Sequence, residues 1–482
     1  MESSIASQFN EGVKMLFSSM AFIYVFLPLT CLFYFLAKNS AKNYILLAAS
    51  LIFYGWGEPS YLAIMLCTII INYCAAMLVD KHRKIAFYAV LFAVIANLSI
   101  LGYFKYFNFF VENINLLTGG KIDFIKVVMP IGISFYTFQA LSYVIDVYRK
   151  EVPCQYNFYD VALYITLFPQ LVAGPIVKYH DVAEQITRRE CSLDLVSKGI
   201  ERFIIGLGKK VLIANNLGIV ADKTFALPAE QVDTLTSWIG ALAYSLQLFF
   251  DFAGYSDMAI GLGLIFGFKF LENFNYPYIA SSITDFWRRW HISLFSWLKL
   301  YLYIPLGGNR VSKGRNCFNL LAVFFVTGFW HGASWTFILW GMWHGVLIVA
   351  EKLTGWHKQS NRIVLRVTKH AVTLFFVLIG WVMFRAATIT YCFDYLKNMF
   401  GFIDHSRSNI VYGPAYYFDN LQILAFFVGL ICSTPVFKIV IERYYDNVAF
   451  RICYRVALLA LLIISTMYLA ANTYNPFIYF RF

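Results

Sequence analysis

Long apolar blocks alternate with short polar stretches from Leu16 onward, and the lengths of the blocks limit what they can be. A helix rises about 1.5 Å per residue, so about 20 residues cross a hydrocarbon core roughly 30 Å thick. Five blocks near that size cover about 17 to 37, 43 to 56, 61 to 79, 86 to 104 and 127 to 147; three more cover about 362 to 388, 419 to 441 and 453 to 473. With the longer blocks between them they predict an all-α polytopic membrane protein, a single integral membrane domain over 1–482 with about 11 spans. Lys38 and Lys42 follow the first block, Lys81-His82-Arg83-Lys84 the third and Arg149-Lys150 the fifth, whereas the loops near Glu58-Pro59 and from Asn108 to Ile122 are poor in Lys and Arg. The positive-inside rule makes the basic loops cytoplasmic and predicts an extracytoplasmic N-terminus.

Three blocks break the pattern. Leu163 to Pro175 is apolar but carries Pro169, Gly174 and Pro175, so it predicts a re-entrant segment lining a cavity, because non-helical backbone survives at membrane depth only when shielded or facing water. Thr234 to Phe268 contains Asp251 and Asp257, which on an uninterrupted helix point about 240° apart and cannot form a paired acid/base site. Capping or a bond to a neighbouring helix is the simpler role for them. Asn316 to Ala350 contains no Asp, Glu, Lys or Arg and is too long for one perpendicular crossing, so it must break, tilt or form two spans.

That last block holds the candidate chemistry. Gly328-Phe329-Trp330-His331-Gly332 and Gly341-Met342-Trp343-His344-Gly345 each set an imidazole after a Trp between glycines four apart. A titratable ring in a membrane segment is costly to bury and marks a functional site by default, although packing or hydrogen bonding can also explain a lone histidine. Burial among Trp330, Trp335 and Trp340 is expected to keep the His331 ring uncharged and ready to accept a proton, and the glycines to let another helix or an acyl chain approach closely. No nucleophilic serine elbow, phosphate-cradling glycine loop or zinc signature is present, which leaves His331 as the leading chemical group.

Upstream, Ser282-Ile283-Thr284-Asp285 starts a predicted amphipathic helix at the membrane boundary, with Trp287, Trp290, His291, Leu294 and Leu298 on one face and Arg288 and Arg289 off it. It leads through Lys299 into a turn rich in helix breakers, Tyr303-Ile-Pro305-Leu-Gly307-Gly308-Asn309-Arg310. The arginines can anchor to lipid headgroups, or form a basic mouth for a phosphate-bearing donor beside the buried imidazole.

Composition agrees with the membrane setting: 60% of the 482 residues are hydrophobic and 14% charged, against about 25% charged in soluble domains. The net charge of +12 lies between apolar runs and not on one polar module, so the basic residues act as topology anchors and no nucleic-acid partner is expected. Nine cysteines without a C-x-x-C pair, among them Cys31, Cys67, Cys74 and Cys432 inside apolar blocks, point to packing, with neither disulfides nor a metal. Met1 to Lys14 has no basic n-region and no evident cleavage site, so no cleaved signal peptide is expected; Met15 is a second candidate start.

Five stretches, in order, carry a resemblance: Pro130-Ile-Gly-Ile-Ser-Phe-Tyr-Thr-Phe-Gln139, Phe168-Pro-Gln-Leu-Val-Ala-Gly-Pro175, Asp251-Phe-Ala-Gly-Tyr-Ser-Asp257, Asp285-Phe-Trp-Arg-Arg-Trp-His291 with Tyr303-Ile-Pro-Leu-Gly-Gly308, and Phe329-Trp-His-Gly332. By these the chain resembles the membrane-bound O-acyltransferase family, in particular its bacterial alginate O-acetyltransferase branch. The resemblance implies a helical core over about 127–350 with re-entrant and interfacial helices around a central tunnel. It makes His331 the catalytic histidine and His291 the second, with Arg288, Arg289, Trp287, Trp290 and Trp330 on the donor side. It further implies a cytoplasmic donor, acetyl-CoA, with no cofactor or metal, and an extracytoplasmic SGNH-type acetyltransferase partner acting on a polysaccharide or cell-wall glycan. In one departure, Lys299-Leu300 stands where the branch has Arg-Asp after Ser296-Trp297-Leu298. The alternatives are D-alanyl transfer to teichoic acid from a carrier-protein thioester and a proton-coupled transporter or flippase.

Overall fold

The computed structural model describes residues 15–478 except 121, 173, 359, 406–410 and 472–473. The first 14 residues, and with them the expectation about a signal peptide, lie outside the described residues. The described residues form helices and turns, with one isolated parallel bridge between Val232 and Tyr412 and no strand. By length and apolarity six helices can cross a membrane: Pro59–Lys81, Ala86–Thr118, Leu193–Ala226, Thr234–Ile265, Ile363–Arg385 and Val448–Ala471. Asn420–Cys432 and Val436–Tyr444, bent by 65° around Pro435, make a seventh if they are one broken span. The count of about 11 expected from block lengths also takes in shorter helices such as Phe22–Leu36 and Lys42–Gly57.

Leu193–Ala226 is a long helix that the block pattern leaves unassigned, because Asp194, Lys198, Glu201, Arg202, Lys209 and Lys210 interrupt its apolar run. The two lysines are neutralised by the carboxylates of Thr234–Ile265: Lys209 meets Asp257 and Lys210 meets Asp251, each at 2.6 Å. The two aspartates thus serve different partners, as their angular separation on an unbroken helix requires. Lys210 and Asp251 are 1% and 2% exposed, and the Asp251 carboxylate also accepts from the Ile478 backbone N–H at 2.8 Å. Removing either member of such a pair leaves an uncompensated buried charge.

The chain packs as two compact units, 1–203 with 258–271, and 204–257 with 272–482. In the first, Ile133–Arg149 is enclosed by protein, buried from Ile133 through Val144. Gly132 begins it at φ +74°, where an added Cβ would lie 2.7 Å from the Leu171 carbonyl oxygen, so only glycine fits. Asn72 and Asn97 exchange amide hydrogen bonds at 3.0 and 3.1 Å between two spans, polar glue of the kind lipid-embedded helices use. The predicted re-entrant segment is a helix ending at Thr166 and a single turn, Phe168–Leu171, buried throughout and broken at Leu167 ahead of Pro169. Beyond it, His180 lies between two carboxylates, Nδ1 at 3.0 Å from Asp146 and Nε2 at 3.2 Å from Asp181. With both ring nitrogens facing acceptors the ring is an imidazolium, and the Asp146 and Asp181 contacts hold its pKa up at about 9.

In the second unit the overlong uncharged block resolves into an antiparallel hairpin, Lys313–His331 and Trp335–Thr354, turned at Gly332-Ala333-Ser334. The hairpin closes on glycine. A Cβ at Gly341 would stand 2.4 Å from the Phe324 carbonyl oxygen and 3.0 Å from Gly328 Cα, and one at Gly328 would stand 2.3 Å from the Phe337 carbonyl oxygen. The close approach expected from the repeated glycines is therefore between the two helices that carry them.

Two outcomes follow from this packing. Gly341→Val is expected to destabilise the protein by about 1–3 kcal/mol, as overpacking does, read as a lowered thermal midpoint in detergent; an unchanged midpoint would contradict the backbone contact. His180 is charged in the fold up to about pH 9 and has an ordinary value of 6.5, so its contribution is complete below 6.5 and is lost as pH rises through about 9. The His180→Gln protein should accordingly lose less stability than the unsubstituted protein between about pH 7 and 9.5, and parallel pH curves would show that the clamp is neutral.

Candidate active site

The site grows from the tip of the hairpin. His331 is the last residue of its helix and 6% exposed, and its ring meets Trp330 at 5.0 Å, Trp340 at 5.1 Å and Phe384 at 5.2 Å. Trp330 and Trp340 are 4% and 1% exposed, as the expected aromatic surround requires, but Trp335 is 53% exposed and is not the buried ring expected there. Trp335 starts the second helix of the hairpin, just past the turn, which directs it away from the helix contact. Trp330 also meets His291, ring centroids 6.2 Å apart. One indole thus meets both predicted histidines.

His291 reaches that position by a break in the chain. The predicted continuous amphipathic helix is instead two short helices, Ile283–Arg289 and Ile292–Leu298, with Trp290 extended and His291 left-handed at φ 46° and ψ 52°. A non-glycine residue adopts that conformation only when its surroundings over-determine it. Asn273 supplies the constraint: its backbone carbonyl accepts from Ile292 N–H at 2.9 Å, and its Oδ1 accepts from the Ser293 N–H at 3.2 Å and the Ser293 hydroxyl at 2.9 Å. Because a backbone N–H can only donate, the atom facing Ser293 is the amide oxygen, and the His291 Nδ1 lying 3.1 Å from it must also donate. The Asn273 Nδ2 in turn donates to Ser256 Oγ at 3.0 Å. His291 is therefore held as the Nδ1–H tautomer, with its lone pair on Nε2. Full burial against Phe252 pushes its pKa down to about 3. A ring so reluctant to charge is suited to accepting a hydrogen bond and unsuited to holding a proton.

At the other end of the short helix Ile283–Arg289, the buried Glu351 carboxylate accepts from Ile283 N–H at 2.6 Å and from Thr284 N–H and hydroxyl at 2.9 and 2.7 Å. Glu351 and the Ser282 cap, whose hydroxyl accepts from Asp285 N–H at 2.9 Å, pin the segment that ends at His291.

The remaining predicted residues divide between core and surface. Trp287 and Trp290 are 5% and 3% exposed and belong to the aromatic core: Trp287 meets His344 edge-on at 5.0 Å, and Trp290 packs on Trp381 at 4.7 Å and stacks on Phe286 at 5.6 Å. Arg288 is exposed, and Arg289 is half-buried in an ion pair with Asp285 at 3.0 Å. His344, the second histidine of the repeat, is fully buried among Trp287, Trp340 and Phe286, where Gly380 leaves room for its Nε2. Asn273, Ser293 and Glu351 were not singled out in the sequence. An Asn between Glu272 and Phe274, four residues ahead of Pro277, carries no signal until the backbone folds His291 onto it.

Comparison with known proteins adds to this geometry. Residues 51–393 match the model of the family described as MBOAT, membrane-bound O-acyltransferase. The chain is 41% identical to a probable alginate O-acetylase of Pseudomonas putida, over 97% of this chain and 100% of that protein. It is 33% identical to a peptidoglycan O-acetyltransferase of Helicobacter pylori, over 97% and 98%. A teichoic acid D-alanyltransferase of Bacillus subtilis is more distant, 31% identical over 53% of this chain and 68% of its own.

Asn273→Ala should free the His291 ring and slow chemistry that uses it by roughly tenfold to a hundredfold, with helical content unchanged by circular dichroism. A variant with an unaltered rate would show that the tautomer is set elsewhere.

Proposed function

The chain belongs to the membrane-bound O-acyltransferase family, and from that premise we propose that it moves an acetyl group from cytoplasmic acetyl-CoA, across the bacterial cytoplasmic membrane, for O-acetylation of an extracytoplasmic polysaccharide or cell-wall glycan. That it is a multi-pass membrane O-acyltransferase follows from the family and the apolar helices. The donor, the direction of transfer and the partner are the proposal. One observation carries it: two buried imidazoles meet the same indole ring, His291 fastened at Nδ1 by Asn273 and His331 at the last residue of its helix.

In this reading the Nε2 or Nδ1 of His331 takes the proton of the acceptor hydroxyl as its oxygen attacks the thioester carbonyl. The new O–C bond forms, the C–S bond breaks, and His331 passes the proton to the departing sulfur, which restores the neutral ring. His291 Nε2 accepts a hydrogen bond that orients one reactant. Arg288, exposed beside this site, suits the phosphates of the donor, and Lys299, also exposed, retains a positive charge although the carboxylate expected after it is replaced by Leu300. The donor enters a central tunnel from the cytoplasmic side, and the acetyl group leaves to an SGNH-type transferase that completes transfer. The acetylation named for the Pseudomonas putida and Helicobacter pylori relatives, each matched along nearly its whole length, favours this over D-alanyl transfer, whose named relative matches about half of the chain. In this reading the basic loops face the cytoplasm and the N-terminus lies outside, as the positive-inside rule favours.

Purified full-length protein supplied with radiolabelled acetyl-CoA tests the reading. CoA thiol should be released, and His331→Ala should lower the rate at least roughly a hundredfold while the variant extracts and elutes as the unsubstituted protein does. Normal turnover in that variant would remove His331 from the chemistry. In the same assay Arg288→Gln should raise the donor KM several-fold; an unchanged KM would leave Arg288 a lipid anchor.

A further inference from the structure

The first unit holds a cleft of about 790 Å³, within the size range of small-molecule sites, lined wholly by residues 34–195, 267 and 269 of that unit. Its floor is Arg189. The guanidinium donates through Nε to the Tyr34 hydroxyl at 3.0 Å and the Phe266 carbonyl at 3.1 Å, and through Nη1 to Asn43 Oδ1 at 2.6 Å and the Gln185 carbonyl at 3.4 Å. Every one of these acceptors is neutral. Nη2 is buried and has no hydrogen-bond partner among the described residues, and the plane lies 4.6 Å over the Phe268 ring. A cation oriented on both edges by neutral acceptors keeps its full charge, and a buried donor without an acceptor is costly.

Three more cations line the same cleft. Lys42 Nζ stands 5.1 Å from the Tyr34 ring, the ring that Arg189 also flanks at 5.7 Å, and Arg188 and Lys269 complete the set. Among the described residues none of the four takes part in an ion pair. The lining carboxylates are Asp160 and Glu190, and Asp160 is occupied by the amides of Asn43 at 2.8 Å and Asn157 at 3.0 Å. Four cations against two carboxylates leave the lining at +2. Like charges brought to one ring repel unless an anion lies between them.

We propose that this cleft is a binding site for a phosphate-bearing anion, held by Arg189, Lys42, Arg188 and Lys269, the four cations that line it. The fork of a guanidinium matches phosphate oxygens, and the lysines add point charges around it. The turn holding Lys42 is one of the basic loops that the positive-inside rule assigns to the cytoplasm. Two sources share this chemistry there: the headgroup of an anionic phospholipid and a soluble phosphate ester. The site is independent of the assignment of His331.

Two measurements on full-length detergent-purified protein separate the outcomes. Native mass spectrometry after exposure to phosphatidylglycerol or phosphatidylcholine reads the lipid arm, and equilibrium dialysis with radiolabelled adenosine 3′,5′-bisphosphate reads the soluble arm. Selective retention of phosphatidylglycerol identifies a headgroup; binding of the bisphosphate, competed by inorganic phosphate, identifies a soluble ester. In either case Arg189→Gln should weaken binding about tenfold or more, the loss expected for a charge-assisted contact. Because Arg189 also ties Tyr34 to Asn43, the triple variant Lys42→Gln, Arg188→Gln, Lys269→Gln is made in parallel. Those side chains make no hydrogen bond among the described residues, so it should fold and show a similar loss. The proposal is overturned if both lipids are retained equally and the bisphosphate does not bind at millimolar concentration, or if the triple variant binds as the unsubstituted protein does.

Discussion

Backbone contact between Gly328 and Gly341 governs the unit that carries His291 and His331, since at that point two helices approach so closely that even a methyl group would collide with a carbonyl oxygen. In lipid, helices gain nothing from hiding apolar surface from each other, so close packing and polar contacts must supply the association. The glycine contact aligns Lys313–His331 with Trp335–Thr354 and sets the height of the turn at Gly332-Ala333-Ser334. His331 stands where it does because the turn ends its helix. Trp330, one position earlier, then lies against His291, and Trp340 closes the opposite side.

Within this frame three histidines acquire three characters from their neighbours alone. His344 is enclosed by indole and phenyl rings and serves the aromatic core. His291 is fastened at Nδ1 by an amide whose orientation a backbone N–H dictates, and burial keeps it neutral. His331 is the last residue of its helix and is enclosed by Trp330, Trp340 and Phe384 with 6% of its surface exposed. In the other unit His180 shows the opposite limit: two carboxylates hold it charged. The side chain is the same in all four places; the acceptors and the degree of burial differ.

Charge inside the apolar mass is handled by pairing, and the exceptions are informative. Lys209 and Lys210 enter a helix long enough to span the membrane because Asp257 and Asp251 meet them at 2.6 Å. Arg289 pairs with Asp285 four residues earlier on its own short helix. Arg189 has only neutral acceptors, and that imbalance distinguishes its cleft from the paired charges elsewhere.

Much of this was legible from residue order. Block lengths and the scarcity of charge identify a helical membrane protein, because the thickness of a bilayer is a length that sequence can be measured against. The prolines and glycine around Phe168 announce a broken segment, and the repeated glycines around the two Trp-His pairs announce the close helix contact that Gly328 and Gly341 make. The helix Leu193–Ala226 escaped because its lysines look too costly for a span until partners 41 and 48 residues away cancel them. The break at His291 escaped because local spacing there favours one continuous helix, and Asn273, 18 residues upstream, overrides that preference. Sequence by itself determined the membrane class and most of the elements, since these depend on local periodicity and on transfer from water. Only tertiary structure decided which charges are neutralised, which nitrogen of His291 holds the proton and which tryptophan shields His331, since each depends on a partner brought in from a distant part of the chain.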